Sequence, residues 1–219
     1  VMKYPEWNMT ERNMLGYCDF NDASIRIAGK CYTLLDDNFP TVDSQCPCQL
    51  STEEAMLMES LCRSFRMSER LQRHISFILS HGSMYKVTNG NLLFHASIPL
   101  NNDGSLKNVN IFGEPLAGRA LMDRVEQIVR TAYDEAATTD ERHVARDFFT
   151  YLWCGPDSPL FDKGKMATFE RYFIADKTTH EEPKGHYYLL RNNAGVIDGI
   201  LDHFEVKGTQ RHVINGHVP

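Results

Sequence analysis

Asn89-Gly90 separates two short apolar runs, residues 84–88 and 91–94. Both central positions of a two-residue hairpin turn need a positive φ, which Asn and Gly adopt at least cost. The pair predicts a β-hairpin, and the hairpin delivers His95 at the exit of its second strand. Ala96, Ser97 and Pro99 then turn the chain away. A rigid strand behind and a loop in front is how a sheet presents a ligating side chain. Residues 211–219 repeat the arrangement with Val213-Ile214, then Asn215-Gly216-His217, then Pro219. Two strand-end histidines, His95 and His217, make half of a metal site. Neutral imidazole in that setting suits Mn, Fe or Zn.

The flanking segments read as a mixed chain. Residues 1–50 alternate short apolar pieces (Ser24-Ile25-Arg26-Ile27, Cys31-Tyr32-Thr33-Leu34-Leu35) with Asn, Asp and Pro. They suggest a long wandering connection with a short helix or two. Ser51-Thr52-Glu53-Glu54 is a capping-box signature. It predicts a helix with Leu57, Leu61 and Phe65 on one face. The pattern slips near Met67-Ser68 and resumes with Leu71, Ile75 and Ile78. It ends at His81-Gly82, with the glycine as C′ residue. His74 and His81 on this stretch are expected to be surface or partly packed residues.

Asn101-Asn102-Asp103-Gly104 is a turn. Pro115-Leu116 introduce a helix over about 117–137, and Asp140 can cap another that runs to Trp153. Residues 154–159 break it. Residues 166–174 read as a short helical or extended piece, and Asn193 begins a last helix through His203. The fold class is α/β (α+β). Residues 1–83 form an irregular connection plus a helical insertion, and residues 84–219 form the second half of a larger domain, with interleaved helices.

Composition excludes some classes. The net charge is −6 with no basic block, which argues against a nucleic-acid surface. No run reaches the roughly 18 apolar residues of a membrane span, and residues 1–6 show no signal-peptide pattern. The six cysteines are scattered, and Cys46-Pro47-Cys48 is too tight for the usual zinc pair. Reduced thiols in a cytoplasmic protein are the expectation. A hydrolytic metal pair also needs oxygen ligands and a bridging aspartate. The chain contains no Asp-x-His, no Gly-Asp-x-x-Asp-Arg and no Gly-Asn-His-Asp/Glu.

Phe94-His95-Ala96-Ser97-Ile98-Pro99 resembles the fourth motif of calcineurin-like metallophosphoesterases, and Asn215-Gly216-His217 resembles their fifth. The chain is more closely similar to class III fructose-1,6-bisphosphatase, the bacterial type built on that metallophosphatase fold. Three long runs carry this resemblance, beginning at Asn91-Leu92-Leu93-Phe94-His95, at Tyr151-Leu152-Trp153-Cys154-Gly155-Pro156 and at Thr168-Phe169-Glu170-Arg171-Tyr172-Phe173-Ile174. His212-Val213-Ile214-Asn215-Gly216-His217-Val218-Pro219 is a fourth. The order Trp153-Cys154-Gly155-Pro156-Asp157 departs from the Trp-x-Asp-Pro of phosphoprotein phosphatases.

The resemblance implies part of a metallophosphatase β-sandwich flanked by helices, with a helix-rich insertion and an incomplete fold. It implies a dinuclear Mn²⁺ site, with Mg²⁺ as an alternative, that hydrolyses the 1-phosphate of fructose 1,6-bisphosphate in gluconeogenesis. His95 and His217 match two histidine ligands of one ion. The bridging aspartate and the general acid would lie upstream, so this stretch is expected to be an internal, inactive piece. Arg171, Lys177 and His180 are candidates for holding sugar-phosphate oxygens, as a guanidinium fork, an ammonium and an imidazole. Against that, Arg171 can pair with Glu170 or a neighbouring helix, and His180 and His186 can belong to a solvated loop. A homo-oligomer is compatible with the resemblance; nucleic-acid and membrane partners are not expected. The competing readings are a phosphoesterase with another phosphorylated substrate and a non-catalytic helical module.

Overall fold

A computed structural model describes residues 3–217. In chain order the strands are β1 (Cys18–Asp19), β2 (Ser24–Ile27), β3 (Lys30–Thr33), β4 (Tyr85–Thr88), β5 (Asn91–Phe94), β6 (Val109–Ile111), β7 (Glu114–Leu116) and β8 (His212–Asn215). The α-helices are α1 (Thr52–Met67), α2 (Glu69–His81), α3 (Gly118–Thr131), α4 (Thr139–Cys154), α5 (Thr168–Phe173), α6 (His186–Leu190) and α7 (Ala194–His203). The chain is therefore mixed α and β, and it divides into two compact units. One holds Val1–Thr10, Ser83–Met166 and Glu182–Pro219; the other holds Glu11–Gly82 and Ala167–Glu181.

In the first unit, β4, β5 and β8 form one sheet in that order. The β4–β5 hairpin closes on Asn89 and Gly90 at φ 49° and 75°, as the sequence predicts. A side chain at Gly90 would also stand 2.7 Å from the Gln210 carbonyl. β8 lies parallel to β5. One face of this sheet packs Leu92 and Phe94 with Ile98, Leu100, Met122, Tyr187, Ile200 and Leu201. Truncating any such buried leucine or isoleucine to alanine costs about 2–5 kcal/mol. A second cluster gathers Trp7, Phe148, Tyr151, Leu121 and Val125 against the small β6–β7 hairpin. Trp7 stacks on Tyr4 at 4.1 Å and meets Phe148 edge-on at 5.7 Å.

The β6–β7 hairpin went unread in the sequence. Its turn, Phe112-Gly113, takes φ 52° and 89°. This is the geometry of Asn89-Gly90 without the asparagine that announces it. Helix α3 stops at Thr131, short of the expected 137. Arg142 Nη1 caps the turn that follows by donating to the carbonyls of Asp134 and Glu135. Asp140 does not cap the next helix. Thr138 does, accepting from Glu141 N while Glu141 returns a bond to Thr138 N, a complete capping box.

In the second unit, residues 11–50 prove more ordered than their pattern suggests. β1, β2 and β3 form an antiparallel sheet. The β2–β3 turn, Ala28-Gly29, again has both φ values positive. Alanine pays a steric cost there, so sequence gives no warning of it. Leu34 pairs with Ile174 beyond α5, and Leu35 N bonds Phe173 O at 2.8 Å. Ile25, Leu34 and Ile174 are the buried centre.

The predicted helical stretch is two helices meeting at Ser68, which ends α1 and caps α2. The Ser51–Glu54 capping box forms as expected. Gly82 closes α2 at φ −82°, extended rather than left-handed, so the C′ expectation fails. The apolar face of α1 is exposed: Leu57, Leu61 and Phe65 are 60%, 45% and 64% accessible, and α1 buries no residue.

Candidate functional site

The parallel register of β5 and β8 sets Phe94 opposite Asn215. One residue further, Gly216 N donates to His95 O at 2.9 Å. His217 then turns back at φ 64°, a left-handed conformation that histidine tolerates better than most residues. The two rings converge, with His95 Nε2 3.1 Å from His217 Nδ1. Both residues are exposed. Asn215 clamps the turns together: its Nδ2 donates to Ala96 O at 3.0 Å, and its Oδ1 accepts from the Tyr187 hydroxyl at 2.8 Å. Burial, then the His95 and Lys163 charges, hold the His217 imidazole below its ordinary range. That favours the neutral ring a metal requires.

Two nitrogens bound to one ion at a right angle, with bonds of about 2.1 Å, lie about 3.0 Å apart. The observed separation fits neighbouring corners of one coordination sphere. The donor set stops there. Among the described residues no group of three or more His, Cys, Asp or Glu side chains is gathered for a metal. His95 and His217 therefore have the separation of two ligands of one ion. A cleft of about 250 Å³ opens beside His95, lined by Lys86, Leu93, Phe94 and Leu160 among others. A larger groove of about 840 Å³ runs along β4 and α3 and includes neither histidine.

Arg171, Lys177 and His180 all lie in the second unit. Arg171, on α5, donates to the His180 carbonyl at 3.4 Å. His180 lies in a 3-10 turn, Lys177–His180, and its Nε2 meets the Ile174 carbonyl at 2.9 Å. Its ring is thereby occupied in holding the turn. Lys177 is exposed. His186 opens α6, whose Tyr187 and Tyr188 are buried; the polar stretch around it is half core. His74 and His81 are exposed on α2, with His81 stacked on Phe77 at 4.6 Å. Cys46 and Cys48 are exposed free thiols, and Cys48 bonds Asn13.

Sequence reasoning missed the 156–163 loop as a support for the histidine pair. Ser97 N donates to Pro159 O at 3.2 Å, tying the turn after His95 to that loop. Asp157, at φ 58°, pairs with Lys107 at 2.7 Å. Asp162 is 2% exposed. Burial pushes its carboxyl up to about 6, and Ser97 partly opposes this. No sequence signal marks it; it stands one residue past the resembling run that ends at Phe161.

All 219 residues match a family described as Firmicute fructose-1,6-bisphosphatase. The class 3 fructose-1,6-bisphosphatase of Bacteroides fragilis is 50% identical over 219 residues, covering 100% of this chain and 33% of the relative. Those of Porphyromonas gingivalis and Clostridium botulinum are 48% and 45% identical with the same coverage. The chain thus spans about a third of the length of the curated relatives it matches. No solved structure matches it. No helix among the described residues is long and apolar enough to cross a membrane.

Proposed function

This chain belongs to the Firmicute fructose-1,6-bisphosphatase family, and from that premise we propose that it is the part of a sugar bisphosphatase that supplies two histidine ligands to a Mn²⁺ site. The reaction is hydrolysis of the 1-phosphate of fructose 1,6-bisphosphate to fructose 6-phosphate and phosphate. The observation that carries the reading is the 3.1 Å approach of His95 Nε2 and His217 Nδ1 at the ends of two parallel strands. Bound metal supplies the Lewis acidity that polarises a phosphoryl group and lowers the pKa of water. His95 and His217 would offer the facing nitrogens Nε2 and Nδ1 to the ion once the proton shared between them is released, and Asn215 ties their turns together. Arg171 and Lys177 are the proposed holders of the sugar phosphates, and the His180 ring holds the turn between them through the Ile174 carbonyl. Arg171 has the bidentate geometry and permanent charge for that work.

The β4–β5–β8 sheet is the proposed piece of a metallophosphatase β-sandwich. Leu93 pairs with Ile214, which is 49% exposed. Together they give the sheet a second apolar face that another layer would cover.

The test is phosphate release by the full-length protein with added Mn²⁺, from fructose 1,6-bisphosphate and from a phosphopeptide. We expect release from the sugar bisphosphate, and a loss of at least about a hundredfold in His95→Ala. Unchanged turnover in that variant sinks the metal assignment. Preference for the phosphopeptide points to another phosphorylated substrate, and an absence of Mn²⁺ dependence points to a non-catalytic module.

A further inference from the structure

Three consecutive residues underlie the histidine pair, and the proposed reaction uses none of them. The Phe161 ring meets His217 edge-on with centroids 6.4 Å apart. The Lys163 ammonium lies over the Phe161 ring at 5.6 Å and is tied to Glu182 at 2.9 Å. Asp162 sits between them, 2% exposed. Its backbone is locked on both sides: its N–H donates to Ser158 O, and its carbonyl accepts from Gly185 N, each at 2.8 Å. Its carboxyl rests on Gly185 so closely that a side chain there would begin 2.2 Å from three of its atoms.

The carboxyl's other neighbour is Ser97, 0% exposed and two residues past His95. The Ser97 side chain favours the charged carboxylate. Yet Ser97 Oγ and Asp162 Oδ2 are both buried without a hydrogen bond of normal geometry among the described residues. Burying a carboxyl beside an unpaired hydroxyl costs stability, and an apolar residue would fill the space without that cost. Local violations of this kind concentrate where they serve a site.

We propose that Asp162 is a positioning residue for the histidine pair. Its backbone anchors the loop whose Pro159 carbonyl holds the Ser97 N–H in the turn that carries His95, and it fixes Phe161 against His217. The two ring nitrogens then keep the separation that one ion needs. This rests on the reading of His95 and His217 as metal donors.

The experiment is equilibrium dialysis of Mn²⁺ against the full-length protein, alongside thermal melting, for wild type, His95→Ala, Asp162→Asn and Ser97→Ala. Asp162→Asn preserves shape and is expected to weaken Mn²⁺ binding about tenfold, the usual effect of losing a group that orients a ligand. Ser97→Ala is expected to weaken it in the same direction by a smaller factor, and it stands in if Asp162→Asn does not fold. A variant that melts lower yet binds Mn²⁺ as tightly as wild type shows a merely structural role and overturns the proposal. If His95→Ala binds Mn²⁺ normally, the donor reading itself fails. If His95→Ala loses the metal while the Asp162 and Ser97 variants keep it, only the positioning role fails.

Discussion

Asp162 shows how one residue can be costly and retained. Its carboxyl titrates near 6 because burial disfavours the charge, while the unfolded chain releases that proton near 3.9. Between those values the folded state holds a proton that the unfolded state has lost. Stability therefore falls as pH rises from about 4 to about 6 and is level above that. We expect wild type to lose about 2–3 kcal/mol relative to Asp162→Asn between pH 4 and pH 7. Urea unfolding of the two proteins across that range measures it, and a difference that does not change with pH would contradict a buried carboxyl. At this scale the histidines were legible in the sequence, because strand, small residue and proline repeat around each. Asp162 was not, because nothing local marks an aspartate that meets Ser97 and Gly185 only in the fold.

Elements were legible where their signals are backbone signals. The Asn89-Gly90 turn and the Ser51–Glu54 capping box formed as read. Ala28-Gly29 and Phe112-Gly113 turn the same way with no favourable first residue, so tertiary context overrode propensity there. The cap of α4 gives a direct measurement. Thr138→Ala removes the side-chain acceptor of Glu141 N and is expected to cost about 1 kcal/mol. Asp140→Ala touches no cap bond and should cost only a few tenths, with a small loss of the favourable charge near the helix N-terminus. Thermal unfolding of the two variants separates the assignments; equal effects would restore Asp140 as the cap. α1 and α2 show the opposite limit. Their periodicity announced amphipathic helices, which they are, but not what their apolar face meets.

At the scale of the whole molecule, the described residues bring together two nitrogen donors and no third metal-binding side chain in reach of them. Two histidines alone hold a divalent ion weakly against water. The 219-residue chain by itself is expected to release no phosphate from fructose 1,6-bisphosphate at any Mn²⁺ concentration, measured under conditions where the full-length protein turns over. Turnover by the isolated chain would show that its own residues complete the site. The sequence by itself determined the Asn89-Gly90 hairpin, the main helices and the mixed α and β character. Each of these follows from the preferences of neighbouring residues, which act over a few positions along the chain. Only the tertiary structure decided that β8 lies parallel to β5, that His217 turns back to within 3.1 Å of His95, and that Ser97, Asp162 and Gly185 meet beneath them. Those contacts join positions up to about 120 residues apart, as the His95–His217 pair does. Closing so long a loop is decided by the packing of the whole unit and not by any local propensity.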